Sequence, residues 1–237
     1  MKNILVTGAT KGIGREIAIL LSENYNVFVV GRNKKALKEL VETTKIKDYL
    51  AIDLSCENAC YEVVKKFVDI DILINNAGEY IYKNIDEYST EDIEKMFKIN
   101  AQVPFLLSSL YSKNMKAKKW GRIVNIGSIS AMIGEAGASL YSTTKASLCG
   151  FAKAVGLELA EYGITVNTIH PGWVDTGLAQ ESIDKSEFST DEIIETIPQR
   201  RFISPNEIAN LVKYLISDDA KGLTGQNINL CAGLTIG

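Results

Sequence analysis

Tyr141 and Lys145 stand four positions apart in a stretch with helical character, residues 141–161. On a helix that spacing puts the phenol and the ammonium on one face, about 6 Å apart along the axis. A phenol with an ordinary pKa near ~10 is a poor proton donor or acceptor at neutral pH. A neighbouring ammonium favours the phenolate and brings the group toward the working range. Thirteen residues upstream, Ser128 follows the apolar run RIVNI. Its hydroxyl could hydrogen-bond a substrate oxygen and stabilise charge developing there. Each residue alone has a plainer reading: a solvated helix face for the pair, a helix cap for Ser128 in Ser-Ile-Ser-Ala. Together they could move a proton to or from an oxygen.

A second cluster opens the chain. TGATKGIG, residues 7–14, places three glycines between the apolar Ile4-Leu5-Val6 and a helical run from Arg15 to Leu21. Glycine loses more conformational freedom on folding than any other residue, so this cluster needs a reason. One is a tight strand-to-helix turn. Another is a backbone that lies against a phosphate with helix N–H groups pointing at it. Following the first strand and opening a helix, the turn has the context of a dinucleotide fingerprint. NAD-specific sites place a carboxylate at the end of the second strand, for the ribose 2′-hydroxyl. Here that strand ends in Gly31-Arg32-Asn33, with no acid. Arg32 and Lys11 suit a 2′-phosphate, which predicts NADP rather than NAD as cofactor.

The elements that would carry these residues alternate. Strand candidates are 3–6, 26–30, 49–52, 71–74, 122–126, 164–169 and 227–230, several of them apolar throughout, as parallel strands covered on both faces are. Helix candidates fall at 13–24, 34–43, 57–67, 90–112, 141–161 and 205–216. This order predicts an α/β fold: one domain over 1–237, a doubly wound (Rossmann) parallel seven-stranded sheet with helices on both faces. The polar segment 175–200 breaks the rhythm beyond the sixth strand and is expected to form a substrate lid.

Composition narrows the function classes. The 237 residues are 46% hydrophobic and 23% charged, with a net charge of -3, which speaks against a general nucleic-acid binder. No apolar run approaches the ~20 residues that span a bilayer, and no secretory signal is visible. Cys56, Cys60, Cys149 and Cys231 read as buried or half-buried free thiols in a reducing cytoplasm. With His170 as the single histidine, neither a Cys/His zinc cluster nor a Ser-His-Asp triad is expected, and no metal site.

Gly8-x3-Gly12-x-Gly14, Asn75-Asn76-Ala77-Gly78, Asn100, Ser128, Tyr141-x3-Lys145, Pro171-Gly172, Thr176 and Leu223-Thr224-Gly225-Gln226 occur in one order from residue 3 to the C-terminus. In these motifs the chain resembles the short-chain dehydrogenase/reductase family. The resemblance implies that Tyr141 gives or takes the proton and that Lys145 also holds the nicotinamide ribose. It implies further that Ser128 orients the carbonyl and that Asn100 keeps a water linking Lys145 to a proton relay. Cofactor contacts are expected from Gly8, Thr10, Lys11, Gly12, Ile13 and Gly14, and from Arg32. Asp53 and Leu54 are expected to flank the adenine. Asn75, Ala77 and Gly78 would support the cofactor, and Pro171, Gly172, Val174 and Thr176 would complete its site.

In layout and compact length the chain resembles the 3-oxoacyl-(acyl-carrier-protein) reductases of that family. This implies reduction of a 3-oxoacyl thioester and docking of an acidic carrier protein. The basic stretch 113–122 (KNMKAKKWGR) could steer such a carrier, with Lys119 at the expected position before the fifth strand. The second expected basic position holds Tyr162, with Glu158 and Glu161 nearby. A sugar or small-alcohol dehydrogenase is the alternative, and a non-catalytic dinucleotide sensor is the alternative of another class. The resemblance also implies a homo-oligomer, a tetramer built on the 90–112 and 141–161 helices and the C-terminal strand. Two features depart from the family: Ala232-Gly233 replaces a common Gly-Gly pair, and residues 129–133 match no one substrate class.

Overall fold

The computed structural model describes residues 1–177, 183 and 189–236. Seven strands form one parallel sheet: β1 (Asn3–Thr7), β2 (Asn26–Gly31), β3 (Asp48–Ala51), β4 (Ile72–Asn75), β5 (Gly121–Ile126), β6 (Ile164–Pro171) and β7 (Asn227–Leu230). Their order is β3-β2-β1-β4-β5-β6-β7, every neighbouring pair parallel. The helices are α1 (Gly12–Ser22), α2 (Lys34–Thr43), α3 (Ala59–Lys66), α4 (Thr90–Phe97), α5 (Val103–Lys118), α6 (Ser130–Ile133), α7 (Ser139–Ala160), α8 (Thr190–Thr196) and α9 (Pro205–Leu215).

The pleat sorts the core. Ile4 and Val6 of β1 point to the face covered by α1, α2 and α9, where Ile17, Leu37 and Ile208 meet them. Leu5, between them, faces α3, α5 and α7 with Val63, Leu107 and Ala152. Apolar residues at both parities are what a sheet covered on both sides requires. The order reverses between β1 and β4, and beyond the carboxyl ends of such strands ligands bind.

The helix expected at 90–112 is interrupted. A π turn at Lys98–Gln102 separates α4 from α5, and α5 runs on to Lys118. The short α6 and α8 were not expected from periodicity. A capping box between Ser189 and Glu192 starts α8, inside the segment read as a lid. Residues 178–182 and 184–188 of that segment, and Gly237, lie outside the described residues. All four cysteines are free, and the expectation of burial fails at Cys56, which is exposed on the loop before α3. Among the described residues no helix is long and apolar enough to cross a membrane, and no His/Cys/Asp/Glu group could hold a metal.

Candidate active site

The glycine turn is fastened on two sides. Gly8 and Ala9 donate their N–H groups to Val30 O of β2. From the other side Asn76, just past β4, donates through Nδ2 to Thr7 O (3.0 Å) and Gly8 O (3.1 Å). Thr7 Oγ1 accepts from the N–H groups of Asn76 and Ala77, at 3.0 Å each. A Cβ at Gly14 would overlap the Asn76 amide and lie 2.5 Å from Gly8 O. Gly8 itself has φ +70°, a left-handed conformation that favours glycine. Packing therefore fixes Gly8 and Gly14, and Gly12 shares the left-handed conformation at φ +57°. At the N-terminus of α1 no side chain caps the helix and no acid lies in the first turn. Gly12, Ile13 and Gly14 instead line a cleft of about 230 Å³, with the positive end of the helix toward it. Bare backbone, an uncapped helix end and two cations beside it fit a bound dinucleotide.

The cleft brings together most of the expected residues. Gly8, Thr10, Lys11, Gly12, Ile13, Gly14, Arg32, Asp53, Leu54, Ala77, Gly78, Tyr141, Lys145 and Thr176 all line it. Asn75 does not. As the last residue of β4 its side chain is buried and donates to Asn125 Oδ1 (2.9 Å) and Ser108 Oγ (3.3 Å). The next residue faces the other way, so Asn76 occupies the place expected of Asn75. Pro171, Gly172 and Val174 line an adjoining cavity rather than the cleft. Burial pushes the Asp53 carboxyl up, but hydrogen bonds from Ser55 and the charges of Arg32 and Lys95 hold it below the ordinary value. Glu79 was not anticipated: it lines the cleft, 3.6 Å from Arg32 Nη1 and 2.8 Å from Lys95 Nζ.

Ser128, Tyr141 and Lys145 converge where cleft and cavity meet, while Asn100 is buried behind them and lines neither. Lys145 Nζ donates to Ile126 O (2.8 Å) and lies 5.7 Å from the centre of the Tyr141 ring. Burial lowers the Lys145 ammonium to about 8. Burial likewise pushes the Tyr141 phenol up to about 12, with Ser128 opposing and the Glu135 charge adding. Spacing alone predicts that Lys145 depresses Tyr141, together with an oxidised nicotinamide when one is bound. Two groups taken out of water each resist charging, and for Tyr141 burial outweighs the other influences of the protein groups. Asn100 lies in the π turn, a feature frequent at functional sites. Its Oδ1 accepts from Glu79 N (2.9 Å), while Nδ2 donates to Glu79 O (2.9 Å) and Thr144 Oγ1 (3.0 Å). One side chain thus joins the loop after β4 to α7, next to Lys145. His170 supports Ser128 from behind: it is buried, with Nδ1 2.9 Å from Ser128 O and Nε2 3.0 Å from Asn227 Oδ1.

A doubly wound sheet whose first βα turn cradles a cleft is the architecture of dinucleotide-binding α/β proteins. Residues 2–187 match the family model described as short chain dehydrogenase, and the chain belongs to that family. It is 38% identical over 240 residues to the 3-oxoacyl-[acyl-carrier-protein] reductase FabG of Aquifex aeolicus, covering 97% of this chain and 96% of that protein. Among solved structures, an actinorhodin polyketide ketoreductase with NADPH is 37% identical with a TM-score of 0.90, covering 100% of this chain and 98% of the other. YwfH, an NADPH-dependent reductase involved in bacilysin biosynthesis, is 26% identical with a TM-score of 0.94, over 100% and 99%.

Proposed function

We propose that this protein is an NADP-dependent reductase that converts a carbonyl to an alcohol, with a 3-oxoacyl thioester as substrate. The observation that carries the reading is the convergence of Ser128, Tyr141 and Lys145 at the mouth between cleft and cavity. When bound, NADPH supplies the hydride for the carbonyl carbon. Tyr141 gives its proton to the carbonyl oxygen, and Ser128 turns its single hydroxyl proton from Ser130 Oγ to that oxygen as charge develops. Lys145 holds the nicotinamide ribose and supplies positive charge beside the phenol. A cytoplasmic location agrees with the four free cysteines.

Arg32 and Lys11 are the proposed 2′-phosphate contacts. The Arg32–Glu79 pair is long and the arginine 63% exposed, so it is weakly held and can turn to a phosphate. Arg32→Asp is expected to weaken NADPH binding more than ~10-fold, as losing a contact worth roughly 1.5–3 kcal/mol implies. A fluorescence titration checks it, and NADH affinity should hold or improve. Tighter NADH than NADPH binding in the unmutated protein would contradict the assignment.

The similarity to 3-oxoacyl-carrier-protein reductases supports the thioester. The basic stretch supports it less than expected. Arg122 is buried beside Asp218, and Lys118 pairs with Asp69 and Asp71. The stretch also leads into the amino end of β5, whereas Ser128 follows its carboxyl end. NADPH oxidation should be seen with acetoacetyl-carrier protein and acetoacetyl-CoA rather than with keto-sugars. Turnover of a keto-sugar and silence with both thioesters would replace the substrate and leave the proton-transfer residues in place.

A homo-tetramer is also proposed. Leu157 on α7 is 82% exposed, and Phe105 on α5, 59% exposed, meets Phe151 of α7 edge-on at 5.7 Å. Such an apolar face is the kind that a second copy covers. Light scattering should give a multiple of the 26.0 kDa chain, and a monomer mass at micromolar concentration would end the proposal.

A further inference from the structure

The cavity beside the cleft, about 220 Å³, has Ile13, Ile129, Ile133, Trp173 and Val174 in its wall. One of its lining side chains carries a formal charge, Glu135. Both carboxylate oxygens are held by neutral hydroxyls: Tyr80 donates to Oε1 (2.8 Å) and Ser130 Oγ to Oε2 (2.7 Å). Among the described residues no cation forms a salt bridge with it. A carboxylate offers about four lone-pair positions, so acceptor capacity is left over. Glu135 is half-buried on the loop between α6 and α7, so its spare acceptor positions are open to a donor that enters the cavity.

Its position relative to the reacting oxygen is fixed. Ser128 Oγ donates to Ser130 Oγ (3.0 Å), and Ser130 Oγ donates onward to Glu135. The carboxylate is therefore two hydrogen bonds from the hydroxyl that faces the substrate carbonyl. Tyr80, its other partner, meets the Tyr141 ring edge-on with centroids 4.9 Å apart. An arm extending a few bonds from that carbonyl reaches Glu135.

We propose that Glu135 is the substrate-selecting acceptor of this site, taking a hydrogen bond from a hydroxyl or amide N–H carried a few bonds from the reacting carbonyl. The inference rests on the carbonyl-reductase reading and adds the chemistry of the substrate's arm. A wholly hydrocarbon arm dehydrates the carboxylate and leaves it short of donors. A thioester whose arm continues into an amide, or a hydroxyketone, satisfies it.

Two matched pairs test this: acetoacetyl-N-acetylcysteamine against S-butyl acetothioacetate, and 4-hydroxy-2-butanone against 2-butanone. The protein should prefer the donor-bearing member of at least one pair by about tenfold in kcat/KM, mainly through KM, the size of a hydrogen bond to a charged group. Glu135→Gln keeps the shape and removes the charge, and should reduce that preference more than threefold. A smaller reduction, or no preference before mutation, overturns the proposal. If the glutamine variant no longer binds NADPH, Glu135→Asp is read by the same criterion, since it withdraws the acceptor by one methylene. Turnover of the ketone pair alone removes the thioester assignment while the preference still judges Glu135. Turnover of none of the four overturns both.

Discussion

Tyr141→Phe should lower carbonyl reduction by at least ~100-fold while NADPH affinity stays within a few-fold, the lower end of what acid–base catalysis contributes. The substitution removes one oxygen and keeps the ring. The edge-on contact with Tyr80 therefore survives, and so does the wall of the cleft. What disappears is the proton for the carbonyl oxygen. Ser128 remains as a hydrogen-bond donor, which accounts for residual turnover. Single-turnover NADPH oxidation together with a binding titration separates chemistry from affinity. Turnover within a factor of a few of the unmutated protein would take Tyr141 out of the mechanism.

Gly14→Ala should damage stability and cofactor binding together. The added methyl overlaps the Asn76 amide and sits 2.5 Å from Gly8 O, both held by hydrogen bonds and unable to retreat cheaply. Overpacking of this kind costs about 1–3 kcal/mol and occasionally more. At about 2–4 °C per kcal/mol for a chain of this size, Tm should fall by roughly 5 °C. The turn must also move outward into the space a pyrophosphate would use, so NADPH affinity should drop at least ~10-fold, worth about 1.4 kcal/mol. Calorimetry and titration give the two numbers. An alanine variant that melts within a degree of the original and binds NADPH equally well would refute the close-packing account. Tyr141→Phe, by contrast, should leave Tm nearly unchanged.

Strands were the most legible part of the fold. All seven expected strands lie within about two residues of their observed ends, because apolar runs of strand length between glycine and polar turns have few other uses. Helix ends were less clear. The π turn leaves no mark in a hydrophobic period, so one helix was expected where α4 and α5 meet. For the site, motif order pointed to Tyr141, Lys145, Ser128 and the glycine turn. It missed Asn76 by one position, since strand alternation decides which of two adjacent asparagines faces inward. Glu79 and Glu135 lie in loops where periodicity carries no information, and Arg32 and Tyr80, one partner of each, come from distant segments. The electrostatics of Tyr141 are not legible from spacing for a related reason. Spacing reports how near two charges lie, whereas burial decides what charging them costs.

The Asn76 and Thr7 side chains make five hydrogen bonds across the β1–β4 seam, directly beneath the cleft. A floor fastened in that way does not widen unless several of those bonds break at once. Any breathing that lets a nucleotide in or out is therefore left to the rim, where the Arg32–Glu79 contact is long and solvated. The two sites then act on a nucleotide differently: substitutions at the rim alter which nucleotide is held and how fast it leaves, and substitutions at the seam alter the shape of the floor for any nucleotide.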